Sequence, residues 1–142
     1  MPETMSVTRQ QEFLAEGTRT AVLVTLRASG RPHAVPVWYA VDGSDIVLFT
    51  GAETVKGRAL LANPSVTVVV DDDVPPFSYV SIEGTAEISR DPAVLRRYAE
   101  LVAARYLPAD QAAGFLEFGL APGNLAVRIK ATKVIAQDRV AG

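Results

Sequence analysis

These 142 residues contain no cysteine and one histidine, His33. The first absence excludes a disulfide framework, a thiolate nucleophile and a zinc–thiolate site. The second excludes a metal centre built on several imidazoles, leaving only carboxylate sites to consider. The acidic run Asp71-Asp72-Asp73 is not such a site, because adjacent side chains diverge and the spaced Asp/Asn-Gly pattern of a calcium loop is missing. An excess of charge is also lacking: the formal net charge is −2, so no basic field advertises nucleic-acid binding. No apolar run reaches the roughly 18 residues of a membrane-spanning helix. No charged-then-apolar leader stands at the start, and a cytoplasmic location is expected.

What is present fits one globular domain covering residues 1–142, since domains commonly run to about 100–150 residues. Hydrophobic residues make up 49% of the chain and charged residues 21%, enough for a substantial core. Thr8-Arg9-Gln10-Gln11 has the form of a capping box, predicting a first helix over residues 7–17 that ends at Gly17. Six strands are expected, in residues 21–27, 32–41, 46–50, 66–70, 79–88 and 125–135, on β-branched content, alternation and turn punctuation. Pro36 marks an edge strand or a bulge, because proline cannot donate to a ladder. Val66 to Val70 is the most apolar run and predicts a central strand buried on both faces. Thr54 is placed to cap a helix that Asn63-Pro64 halts. Ser89 or Asp91 caps a longer helix reaching Tyr106, and a short one is expected over residues 109–118. The first three strands are too closely spaced for crossover helices. A mainly β domain with peripheral helices follows, a closed or split antiparallel barrel of six strands.

The stretch from Arg31 to Pro64 carries the chemistry. Two apolar strands run into Thr50-Gly51, and a helix start carrying Lys56 and Arg58 follows. Strand ends that open on a small loop, a helix N-terminus and nearby cations make a place for a phosphate. Cations at a helix start oppose the macrodipole by a few tenths of a kcal/mol, a mismatch that an anionic ligand would relieve. Residues two apart on a helix do not share a face, so Lys56 and Arg58 reach one phosphate only if the loop persists past Lys56. Trp38 and Tyr39 point to opposite sides of their strand, one to core or interface and one toward a ligand. Gly84 marks a close approach or a bulge.

The ordered set Gly30-Arg31-Pro32-His33, Pro36-Val37-Trp38, Thr50-Gly51, Lys56-Gly57-Arg58, Asn63-Pro64 and Tyr79-Val80 to Glu83-Gly84-Thr85-Ala86 resembles the flavin- and deazaflavin-binding split β-barrel family related to pyridoxamine 5′-phosphate oxidase. The likeness runs from Phe13 to Ile135, and is greatest to small reductases that use the deazaflavin coenzyme F420. It implies a homodimer with cofactor sites at the subunit interface and a small-molecule substrate. It also implies phosphate pairing by Lys56 with Arg58 as a second cation, and donors from Thr50, Gly51 and Thr54. His33, Pro36, Val37 and Trp38 would lie near the ring, with Phe77 and Tyr79 approaching from the partner subunit. The expected activity is hydride transfer from reduced F420 to an unsaturated or conjugated organic substrate. Tyr79 and His33 are candidates for the proton donor, which the resemblance leaves unassigned. An FMN-dependent oxidoreductase and a non-catalytic cofactor carrier are the competing readings. Pyridoxine-phosphate oxidation itself is disfavoured, because the Arg-x-His motif expected near the C-terminus is missing.

Overall fold

A computed structural model describes residues 2–141. Its elements run β1 (Glu3–Thr4), α1 (Val7–Ala15), β2 (Ala21–Leu26), β3 (Pro32–Val37), β4 (Ala40–Asp42), β5 (Asp45–Gly51), α2 (Val55–Ala62), β6 (Ser65–Asp72), β7 (Ser78–Ser89), α3 (Pro92–Tyr106), α4 (Ala109–Leu120) and β8 (Asn124–Asp138). The strands form one antiparallel sheet in the order β3-β2-β6-β7-β8-β5-β4, with β1 pairing on β8. The two ends of that path, β3 and β4, are consecutive in the chain and separated only by Trp38-Tyr39. The sheet therefore curls until its ends meet at that corner, the split barrel expected from the sequence. Among the described residues no helix is long and apolar enough to cross a membrane.

The expected second strand is broken in two, and the two-residue β1 is added, giving eight strands among the described residues where six were expected. Pro36 lies in β3, an edge of the sheet, opposite Val22, where its missing N–H costs no ladder bond. The first helix is capped by Ser6, whose hydroxyl accepts from the Arg9 amide at 3.1 Å. Thr8, the expected cap, lies inside the helix, which ends at Ala15 and not at Gly17. Asp91 caps α3 by accepting from the Ala93 amide, with Pro92 in the first turn. At Glu83/Gly84 the β7–β8 register slips. A Cβ at Gly84 would overlap the Lys130 carbonyl oxygen, so close approach and bulge coincide there.

Two apolar cores result. The barrel interior packs Leu23, Val68, Ile82, Leu125 and Val127 around Phe13, Leu48 and Leu60, each worth roughly 1.5–3 kcal/mol on burial. A second core lies outside the barrel, where Leu95, Tyr98 and Val102 of α3 cover Ala40, Val47 and Ala126. Burial on both faces consequently belongs to β5 and to the Leu125–Ile129 half of β8. Val66 to Val70 was expected to have this property and instead alternates between buried and half-buried. The covering helices lie over β5 and β8, and among the described residues no helix packs on the outer face of β6.

That outer face carries a continuous row, Pro36–Val22–Val69–Ser81–Ile135, paired residue to residue across five strands. Val22 is 38% and Ile135 43% exposed. On the helix side, charge ties the layers together. Arg128 on β8 bonds Asp42 and Asp45 in the β4–β5 hairpin and the Tyr98 hydroxyl on α3. Arg97 of α3 adds two bonds to Asp42, at 2.6 and 3.0 Å. Bonds from Arg97, and then Arg128, hold the Asp42 carboxyl below the ordinary carboxylate range against the opposing effect of burial. Asp138 is held low in the same way by Arg9 and the Ser78 hydroxyl.

A depressed folded-state value means that the proton binds the unfolded chain first. These pairs contribute fully above the ordinary aspartate value of roughly 3.9 and are lost as pH falls through the lowered values. The melting temperature is expected to drop below about pH 4, and Asp42→Asn should flatten that acid limb while lowering stability at neutral pH. Circular dichroism melts between acid and neutral pH measure both; identical acid limbs in the two proteins would remove Asp42 from the account.

Candidate functional site

Thr54 initiates α2 by accepting from the Gly57 amide at 3.0 Å, while its own proton goes to the Gly51 carbonyl at 2.7 Å. Its oxygen also lies 3.3 Å from the nearly buried Thr50 hydroxyl. Both hydroxyls are thus occupied inside the loop that they shape. Among the described residues, the free donors of the first turn are the Val55 and Lys56 amides. Gly57 sets how close this turn lies to β5, since a Cβ there would overlap the Gly51 carbonyl oxygen and crowd Ala52. The start of α2 is fixed by backbone against backbone.

Above it opens a cleft of about 220 Å³. Four residues singled out in the sequence line it: Pro36, Val37, Trp38 and Lys56. Four others were not anticipated: Phe49, Val102, Phe115 and Phe118. Trp38 is 41% exposed and stacks on Tyr106, ring centroids 4.6 Å apart and planes 14° from parallel. Phe115 lies 5.6 Å from Trp38 and 5.4 Å from Phe49. Lys56 is the one charged side chain on the lining, and among the described residues it has no carboxylate partner. An aromatic wall with a single unpaired cation suits a flat, conjugated ring carrying an anionic group nearby.

The remaining sequence-derived residues lie elsewhere. The helix begins at Val55, so Lys56 and Arg58 diverge as helical spacing requires. Arg58 lines a separate cleft with Arg27 and Ala59, and its guanidinium is 3.6 Å from Glu53. His33 is half-buried on β3, its Nδ1 accepting from the Arg27 guanidinium at 3.1 Å. Phe77 and Tyr79 stand at the β6–β7 connection. Phe77 has a φ of 64°, in the left-handed region, and its carbonyl accepts from the Val140 amide. None of these four lines the Lys56 cleft. A larger hollow of about 320 Å³ surrounds Gly84 on the outer sheet face, but it has neither an aromatic wall nor a cation. No cluster of three or more potential metal ligands occurs among the described residues.

Phe49 comes from β5, and the other three unanticipated residues come from α3 and α4, whose helical periodicity was legible but whose placement over β5 was not. Gly119 is the nearest thing to a signal: a Cβ there would crowd Ala99 and the Phe49 ring, so α4 seats itself through its glycine and brings Phe115 and Phe118 to the cleft.

A barrel split at the Trp38-Tyr39 corner, with an aromatic cleft beside it and an unpaired cation at a helix start, has the architecture of the flavin-type split barrels. The sequence matches the pyridoxamine 5′-phosphate oxidase family over residues 7–138, and the chain belongs to that family. A conserved hypothetical protein of Mycobacterium tuberculosis is 31% identical, with a TM-score of 0.84 over 95% of this chain and 86% of that one. An F420 reductase is 28% identical, with a TM-score of 0.65 over 87% and 94% of the two chains. An FAD-binding protein from Mesorhizobium loti shares the fold, with a TM-score of 0.69 at 20% identity over 96% and 97%. None of the curated proteins compared with the chain matches it.

In an open helical position, replacing glycine by alanine stabilises by roughly 1 kcal/mol. At Gly57 the overlap with the Gly51 carbonyl should reverse the sign, and Gly57→Ala is expected to destabilise by about 1–3 kcal/mol. Urea denaturation reads the difference. A stabilised variant would mean that α2 does not rest on the β5 backbone.

Proposed function

We propose that this protein is a coenzyme F420-dependent reductase that acts, as a homodimer, on an unsaturated or conjugated small molecule. The observation that carries this reading is Lys56: an unpaired cation, beside free helix-start amides, in a cleft otherwise walled by aromatic and aliphatic side chains. Those residues fit a phosphate joined to a flat ring system. The 28% identity to an F420 reductase, over most of both chains, supports the deazaflavin choice.

Lys56 and the Val55 and Lys56 amides would hold the phosphate. Trp38, with Pro36 and Val37, would border the ring, and the apolar lining would keep water from it. Held there, reduced F420 would supply hydride chemistry, two electrons with one proton, toward a conjugated acceptor, and a second proton would be needed to complete the reduction. Among the described residues no nucleophile–base pair lines the cleft, consistent with chemistry that the cofactor would supply and the protein orient. His33, whose Nδ1 is occupied by Arg27, and Tyr79 remain the proton-donor candidates, Tyr79 from a partner subunit.

The dimer has its own support. A cleft of about 220 Å³ is smaller than the ~300–1,000 Å³ usual for a small-molecule site, so cofactor and substrate together need a further wall. The uncovered row from Pro36 to Ile135 begins at a cleft residue and continues across the sheet. A second copy on that face would both bury the row and complete the site.

Titrating the wild-type chain with F420 and with FMN compares the two cofactors directly. Lys56→Ala should weaken F420 binding by about 1–3 kcal/mol, the scale of one charge-assisted contact, whereas Arg58→Ala should have a much smaller effect. Tighter binding of FMN than of F420 would favour the flavin oxidoreductase, and tight F420 binding without turnover of enones or quinones would favour a carrier. In sedimentation the wild type should run as a dimer, and Ile135→Lys should dissociate it. A wild-type monomer would sink the shared site.

A further inference from the structure

The last helix before β8 is held in an unusual way. Of its residues only Gly119 is buried. Its first turn has no side-chain cap, since Pro108 occupies the capping position. Its last turn is fastened by one side chain: Asn124 donates through Nδ2 to the Phe118 carbonyl at 2.8 Å and to the Gly119 carbonyl at 3.0 Å. Both are last-turn carbonyls, which a helix leaves short of intrahelical partners, although the Phe118 carbonyl also accepts from the Ala121 amide at 3.3 Å. Asn124 is also the β8 residue paired with Gly51, and the neighbouring Ala52 amide donates to the Gly123 carbonyl at 2.8 Å. One residue therefore joins the loop that shapes the Lys56 end of the cleft to the helix that supplies its aromatic end.

That aromatic end is overbuilt for a merely structural contact. Phe118 is 65% exposed, yet it lies within aromatic range of Phe49 and Phe115, at 6.0 and 6.3 Å. A large apolar ring left in water at the mouth of a cleft gives up burial that an occupant would restore. No carboxylate, amide or hydroxyl of α4 lines the cleft, so this wall offers stacking and no hydrogen bonds. Charged or hydrogen-bond-rich molecules would be desolvated there without compensation.

We propose that Phe115 and Phe118 form the substrate-side wall of the Lys56 cleft, selecting flat, uncharged, conjugated molecules, and that Asn124 is the positioning residue that holds this wall in place. The inference rests on the cofactor reading above and adds the identity of the selecting residues. Phosphate-holding groups and ring-selecting groups occupy different elements, α2 and α4, and Asn124 sets the distance between them.

Trp38 is the only tryptophan and lines the same cleft, so its emission reports occupancy without turnover. Menadione, a flat neutral naphthoquinone, should quench Trp38 saturably in the F420-loaded wild type, whereas the saturated bicyclic 1-decalone should not compete. Phe118→Ala, at an exposed position, should weaken menadione about tenfold, the equivalent of one or two aromatic contacts, and weaken F420 much less. Asn124→Ala should weaken menadione in the same direction with F420 binding intact, and Asn124→Gln, which restores an amide donor, should recover part of the loss. Absence of quenching in the wild type, unchanged menadione affinity in Phe118→Ala, or equal losses of menadione and F420 would each overturn the assignment. Failure of the cofactor reading is seen separately, as a wild type that binds neither F420 nor FMN.

Discussion

Two adjacent side chains at the barrel corner, sent to opposite sides of the chain, organise the rest of the molecule. Tyr39 turns inward and is fully buried, its hydroxyl donating to the Leu14 carbonyl at 2.7 Å. Arg105 lies 4.4 Å over its ring and donates to its oxygen, and the Tyr39 amide donates to the Tyr106 hydroxyl. Burial pushes the Tyr39 phenol up to about 12, so it stays neutral and keeps its donor throughout the ordinary pH range. One residue thereby fastens α1, α3 and both ends of the sheet. Trp38 turns outward onto Tyr106, and the same closure that seals the barrel creates the first wall of the cleft.

From that corner the molecule becomes asymmetric. Helices α3 and α4 cover the outside of β4, β5 and the first half of β8, and the Arg97–Asp42 ion pair and the Arg128–Tyr98 hydrogen bond hold α3 there. The outside of β2, β6 and β7 has no such cover among the described residues, although its residues are nearly as apolar. The cleft opens where the covered and uncovered halves meet. It is therefore built from a helix on one side and stays open on the other.

Local signals in the sequence were reliable where a single short contact decides the structure. The Thr54 cap, the Asn63-Pro64 stop and the edge position of Pro36 each depend on one or two neighbouring residues, and each is found in place. Thr8 misled because Ser6, two residues earlier, offers an equally good hydroxyl. The divergence of Lys56 and Arg58 followed from helical geometry alone, once the helix start was known. Burial was harder to read. Val66 to Val70 is the more apolar strand, but β5 and β8 are the doubly buried ones, because an element distant in sequence settles on them. Phe115 and Phe118 were hidden for the same reason: periodicity assigns a helix, whereas a long-range contact at Gly119 determines where it lies.

The two ends of the cleft differ in how their positions are fixed. At α2 the helix meets β5 through Gly57 and the Gly51 carbonyl, backbone to backbone, with no side chain between them. At α4 the contact runs through rings, a glycine and a single amide. Substitution can reshape the second end residue by residue, but it cannot move the first without breaking it. Such a scaffold lends itself to diversification: the aromatic end can be rewritten through one short helix, while the backbone-locked start of α2 passes unaltered from one variant to the next.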